Sequence, residues 1–204
     1  DLVKQGKSRD EVIKIALTPP SKFVQFALTT GNDPAIGPKN AQVTILHYYD
    51  YECPFCTKVL PTLDQIVKDY PDSVRVVFKQ HPLAMHKNAM PASEAALAAH
   101  AQGKFWPYHD KLFDNQKALG KSKLKDYAKQ VGVDVAAFNA CFDKGTYRDN
   151  VKASIDEGIG YGVPGTPTVF INGRMVVGAM PYELYDQIVS EELLRNPAPT
   201  EGRR

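Results

Sequence analysis

The sequence predicts an α/β domain: a mixed central sheet flanked by helices, interrupted by an inserted helical segment. Three observations predict it. Apolar runs at 43–49 and 74–78 bracket a stretch of helical spacing, the strand–helix–strand order of a right-handed crossover and a parallel pair. From 88 to 161 the pattern is helical almost throughout. Strands then return at 168–171 and 175–177, joined by the hairpin turn Asn172-Gly173, before a last helix at 182–194.

Each element has its own signal. Residues 2–17 read as an amphipathic helix, with Ser8 as an internal cap ahead of Glu11 and Thr18-Pro19-Pro20 as the stop. Residues 23–29 read as a short edge strand, and Gly31-Asn32-Asp33-Pro34 and Gly37-Pro38-Lys39-Asn40 as turns. The helix at 53–70 aligns Val59, Leu60, Leu63, Ile66 and Val67, with Pro61 expected to bend it. Helices at 92–101, 105–115, 122–131, 135–142 and 147–159 follow, punctuated by Gly103, Gly120, Gly132 and Gly145. The organisation expected is an N-terminal helical extension at 1–20, an α/β domain formed by 21–87 and 162–194, an inserted helical domain at 88–161, and a mobile polar tail at 195–204.

Composition narrows the function classes. The chain has 204 residues, 43% hydrophobic and 24% charged, with a formal net charge of +2. Such a balance supports a real core and gives no basis for bulk electrostatic binding of nucleic acid or anionic lipid. No apolar stretch approaches the length of a membrane span. The chain begins at Asp1 with no signal-peptide pattern, which leaves its compartment open.

Three cysteines are too few for a disulfide framework, and two of them form Cys53-Pro54-Phe55-Cys56 at a strand-to-helix junction. Zinc would need two further ligands at comparable spacing, and haem attachment would need a histidine where Thr57 stands. Redox chemistry without a cofactor is what remains. At a helix N-terminus, unpaired N–H groups and the helix dipole favour a thiolate. Cys53 is therefore expected to be the exposed attacking thiolate and Cys56, one turn inside, the buried resolving thiol. Pro54 suits the first helical position, and Pro54-Phe55 tune how firmly Cys53 holds its proton. A different class of reading makes Cys53, Cys56 and His47 soft ligands of a copper-binding module.

Gly165-Thr166-Pro167-Thr168, just before the hairpin, is the second signal. Together with Cys53-Pro54-Phe55-Cys56 it resembles the DsbA-like branch of the thioredoxin-fold thiol–disulfide oxidoreductases. The resemblance extends through Asp50-Tyr51-Glu52-Cys53, Phe78-Lys79-Gln80-His81-Pro82-Leu83 and Gly103-Lys104-Phe105-Trp106-Pro107-Tyr108-His109, and covers roughly residues 31–194. It implies a thioredoxin fold with an inserted helical domain in a periplasmic or otherwise exported protein. It also implies a cis Pro167 that exposes the Thr166 backbone to an extended substrate segment. Cysteine-containing protein substrates and a membrane redox partner are the expected partners.

Two positions depart from the family pattern. Six residues before Cys53, where members usually carry an acidic residue, stands His47. Its imidazole either relays a proton for the cysteines or simply packs in the core. Thr166 before the proline occurs among isomerases as well as oxidases, so oxidase is the first reading and isomerase or reductase the alternative. Cys141 is expected to be a buried, inert thiol. Asp50 and Glu52 read as solvated charges beside the site, and His81, His86, His100 and His109 as structural or surface residues. The N-terminal helix either packs on its own domain or forms an oligomer interface.

Overall fold

The computed structural model describes residues 31–196. The helix expected at 2–17 and the edge strand expected at 23–29 lie outside them, as does all but the start of the tail. Five strands form one mixed sheet in the order β1-β3-β2-β4-β5. β2 (Val43–Tyr49) and β3 (Val74–Gln80) run parallel, from Val43 opposite Val74 to Tyr49 opposite Gln80. Between them runs helix α1 (Pro54–Asp69), which continues through Pro61. β4 (Thr168–Ile171) pairs antiparallel with β2, and β5 (Arg174–Val177) with β4. The connecting Asn172 and Gly173 both take positive φ, 46° and 88°, as the hairpin signal requires.

Two features were not anticipated. β1 (Ala35–Ile36) is a two-residue strand antiparallel to β3, hidden in the sequence between two stretches of turn chemistry. β3 is longer than its apolar run because Lys79 and Gln80 are buried and paired. Lys79 meets Asp33 at 2.6 Å and Glu157 at 2.7 Å. Five helices separate β3 from β4: α2 (Ala89–His100), α3 (Phe105–Asp114), α4 (Lys121–Gln130), α5 (Val135–Lys144) and α6 (Arg148–Gly160). α7 (Tyr182–Arg195) follows the hairpin.

Strand alternation sorts the core. Val43, Ile45, Tyr49, Val76, Phe78, Val169 and Ile171 join one continuous cluster with α1, α7 and helices α2 to α5. The inserted helices thus share their core with the sheet. The opposite face is smaller, built on Leu46, Tyr48, Val77 and Phe170. α6 comes so close to it that a Cβ on Gly158 would lie 2.8 Å from Nδ1 of His81 and 3.1 Å from Cε1 of Tyr48. Cys141, expected to be buried, is only partly so, because it flanks the α5 stripe whose buried members are Phe138 and Phe142.

Candidate active site

Cys53 caps α1 in extended conformation, φ −75° and ψ 116°, with Pro54 at the start of the helix. This places the Cys56 N–H on the Cys53 carbonyl at 3.1 Å. Cys56 faces the core and is fully buried, while Pro54 and Phe55 face outward, Phe55 at 55% exposure. The expectation that Cys53 is exposed is corrected: it retains 4% exposure, because the loop before β4 closes over it. The Thr166–Pro167 peptide is cis, and the Cys53 thiol donates to the Thr166 carbonyl at 3.3 Å. Two segments separated by more than a hundred residues thus meet at one sulfur.

The two sulfurs differ sharply in acidity. The pKa of Cys53 is lowered to about 5, first by the hydrogen bond from the Cys56 thiol, against the opposing effect of burial. The Thr166 side chain and the backbone N–H groups of Cys56 and Phe55 add to the lowering, as expected at a helix start. Cys56 moves the other way, raised far above an ordinary thiol, first by burial and then by its hydrogen bond to Cys53.

His47 lies on the β2 face that contributes to the same core as Cys56. It is fully buried against Tyr49 and Phe78, at ring distances of 5.3 and 5.6 Å, and among the described residues neither nitrogen has a hydrogen-bond partner. Burial lowers its pKa to about 3, so the ring is neutral at physiological pH. Among the described residues no group of three or more His, Cys, Asp or Glu side chains is arranged to hold a metal ion.

Several residues of the site were misread or missed in the sequence. Asp50 is no solvated charge: it is fully buried and accepts from the N–H groups of Glu52 and Leu83 and from Nδ1 of His86. Glu52 accepts from the Asn88 backbone and side chain at 2.7 and 2.9 Å. Gln116, just after α3, donates to the carbonyls of Tyr51 at 2.8 Å and Cys53 at 3.0 Å and accepts from Thr57, holding the cysteine turn from the helical side. A buried chain also runs beneath the turn, from Gln80 to Tyr49, Tyr51 and Nδ1 of His109. An aspartate two residues before the N–H it binds was the one available signal. The partners of Gln116 and His86 lie too far along the chain to be read.

The sheet order, with a cis-proline loop beside a cysteine pair at a helix start, is that of a thioredoxin fold. A family profile described as Thioredoxin matches residues 29–191, and the chain belongs to that family. Its fold is similar to that of a thioredoxin-like oxidoreductase from Silicibacter pomeroyi, with TM-score 0.71 and 25% identity over 82% of this chain and 94% of that one. BdbD from Bacillus subtilis has the same fold, with TM-score 0.73 and 24% identity over 81% and 95% of the two chains. So does the thiol-disulfide exchange protein alpha-DsbA2 from Wolbachia pipientis, with TM-score 0.71 and 23% identity over 91% and 98%. Among curated proteins the chain is similar to the Na(+)/H(+) antiporter NhaA 3 of Salinispora tropica, 37% identical over 72% of this chain and 22% of that protein. A second such antiporter, from Herminiimonas arsenicoxydans, is 34% identical over 70% and 23%. The chain therefore spans less than a quarter of the length of these curated relatives. No helix among the described residues is long and apolar enough to cross a membrane.

Proposed function

We propose that this chain is a thiol–disulfide oxidoreductase that forms disulfides in exported, periplasmic protein substrates through Cys53-Pro54-Phe55-Cys56. The observation that carries the reading is the opposed acidity of the two sulfurs, Cys53 lowered to about 5 and Cys56 raised. A stabilised Cys53 thiolate stabilises the reduced pair and so makes its disulfide oxidising.

A substrate thiolate attacks Sγ of Cys53 in the disulfide form. The Cys53–Cys56 bond breaks, and Cys56 leaves with the electron pair and takes up a proton, as its raised pKa favours. A second substrate thiolate then attacks the substrate sulfur of the mixed disulfide, releasing the Cys53 thiolate and the substrate disulfide. Two electrons have passed to the cysteine pair, which a membrane redox partner then withdraws. The substrate segment lies extended on the Thr166 backbone beside Pro167 and against Pro54 and the exposed Phe55.

Oxidation of reduced ribonuclease and the reduction potential of the pair test this reading. Turnover is expected to disappear in Cys53→Ser, with a potential well above the roughly −270 mV of a reducing thioredoxin. A potential near that value would overturn the oxidase direction in favour of a reductase. Turnover that survives Cys53→Ser would overturn the assignment of the nucleophile.

A further inference from the structure

The segment that enters the cysteine turn carries a charged pair with no part in the exchange chemistry above. The carboxylate of Asp50 accepts from the Glu52 N–H at 2.6 Å, the Leu83 N–H at 2.8 Å and His86 Nδ1 at 2.8 Å. Its own backbone N–H points to Sγ of Cys56 at 3.5 Å. Asp50 therefore touches both the residue before Cys53 and the sulfur of Cys56, and it fixes the 81–88 loop to them. The side chain of His86 is 24% exposed, while the Asp50 side chain is fully buried. Phe55, inside the motif, brings no charge to the sulfurs, and the Lys58 ammonium is drawn over its ring, 5.1 Å from the centroid.

The groups facing His86 are anionic. Burial disfavours its charged form, but the hydrogen bond and charge of Asp50, with the charges of Cys53 and Glu52, outweigh burial and raise its pKa. His81 in the same loop is buried and has its pKa lowered, chiefly by burial, so it adds no competing positive charge at neutral pH. Lys87, next to His86, is exposed to solvent.

We propose that Asp50 and His86 form a positioning pair that holds an imidazolium against the cysteine turn, linking protonation of His86 to the redox state of the Cys53–Cys56 couple. The inference rests on the thiol–disulfide reading of that couple. The reduced pair carries a negative charge on Cys53 and the disulfide carries none, so a neighbouring imidazolium stabilises the reduced form alone. By reciprocity, reduction tightens proton binding at His86 by the same factor that protonation favours reduction. The Asp50 carboxylate holds the ring in place through its contact with Nδ1 at 2.8 Å.

The test is a proton-NMR titration of His86 in the full chain, oxidised and reduced, with the His86→Gln variant beside it. The His86 pKa is expected to be higher in the reduced protein by roughly 0.5 to 1 unit, a three- to tenfold linkage. Replacing His86 with Gln should make reduction by glutathione at pH 7 less favourable by the same factor, up to about 30 mV for a two-electron couple. His86→Lys, which restores a positive charge, should recover part of the loss. Equal His86 pKa values in the two redox states would overturn the proposal, and if the variants fail to fold the wild-type titration decides alone. A wild-type protein that forms no reversible Cys53–Cys56 disulfide would instead sink the thiol–disulfide reading itself.

Discussion

His47 and His86 are two histidines near one cysteine pair, and the fold moves their pKa values in opposite directions. His47, on β2, packs among rings, has no hydrogen-bond partner among the described residues, and is neutral down to about pH 3. His86, in the loop after β3, keeps some solvent and a buried carboxylate, and its pKa rises. Proximity to the cysteines in sequence is thus a poor guide to which imidazole carries charge. What decides is whether a counter-charge offsets the cost of burial. His47 stands where the resemblance expects an acid, but at neutral pH it has no positive charge to offer a thiolate. We infer that it packs.

The strongest way to break the contrast is to remove the carboxylate that creates it. Asp50→Ala leaves the Glu52 and Leu83 N–H groups and His86 without their acceptor inside the fold. A fully buried group left unsatisfied costs about 1–3 kcal/mol, and these three are part-buried, so the loss should be about 2 kcal/mol. Urea unfolding measures it, and the His86 pKa should fall toward or below its ordinary value in the same variant. A loss under about 1 kcal/mol would mean that water replaces the carboxylate and that the clamp has little strength.

A smaller effect separates packing from proton transfer at His47. Its pKa is about 3 in the folded chain against 6.5 for the free group, so between those values the unfolded chain binds the extra proton. Stability therefore falls as pH drops through that window, by about 1.4 kcal/mol per pH unit for this one group. His47→Leu should remove that slope and raise stability at pH 7 by about 1 kcal/mol, since an unsatisfied imidazole gives way to an apolar side chain. The pH profile of Cys53 alkylation should stay as it is, with its midpoint near the lowered value of about 5. A shifted profile would restore His47 as a proton relay.

How much of this was legible in the sequence follows the range of each interaction. Periodicity gave the strand–helix–strand order, the run of helices and the hairpin, because those signals repeat within a few residues. The cysteine motif and Thr166-Pro167 were also local, and their conjunction carried the resemblance to the family. Neither β1 nor the polar end of β3 has an apolar pattern to show: Lys79 is buried only because Asp33 and Glu157 reach it from distant segments. Asp50 misled for the same reason. A carboxylate beside a cysteine reads as surface until the N–H groups of Leu83 and His86, more than thirty residues on, are seen to close around it. Exposure of Cys53 was likewise misjudged, since the covering loop comes from the far end of the chain.

A third histidine sharpens the comparison through the smallest effect. His109 on α3 is as buried as His47 and its pKa is also lowered to about 3, by burial first and then by the charge of His47. It differs in having a partner, the Tyr51 hydroxyl at 2.9 Å from Nδ1. Both rings are neutral, so His109→Phe should remove acid sensitivity just as His47→Leu does. At pH 7 the two should diverge in sign: His109→Phe removes a buried hydrogen bond and should cost about 1 kcal/mol. The cost stays modest because the Tyr51 hydroxyl keeps its contact with Tyr49 at 3.1 Å. Urea midpoints of the two variants at pH 5 and pH 7 separate the effects. If His109→Phe stabilises the fold at pH 7 as His47→Leu does, the partner is not what distinguishes the two rings, and burial alone sets the cost of both.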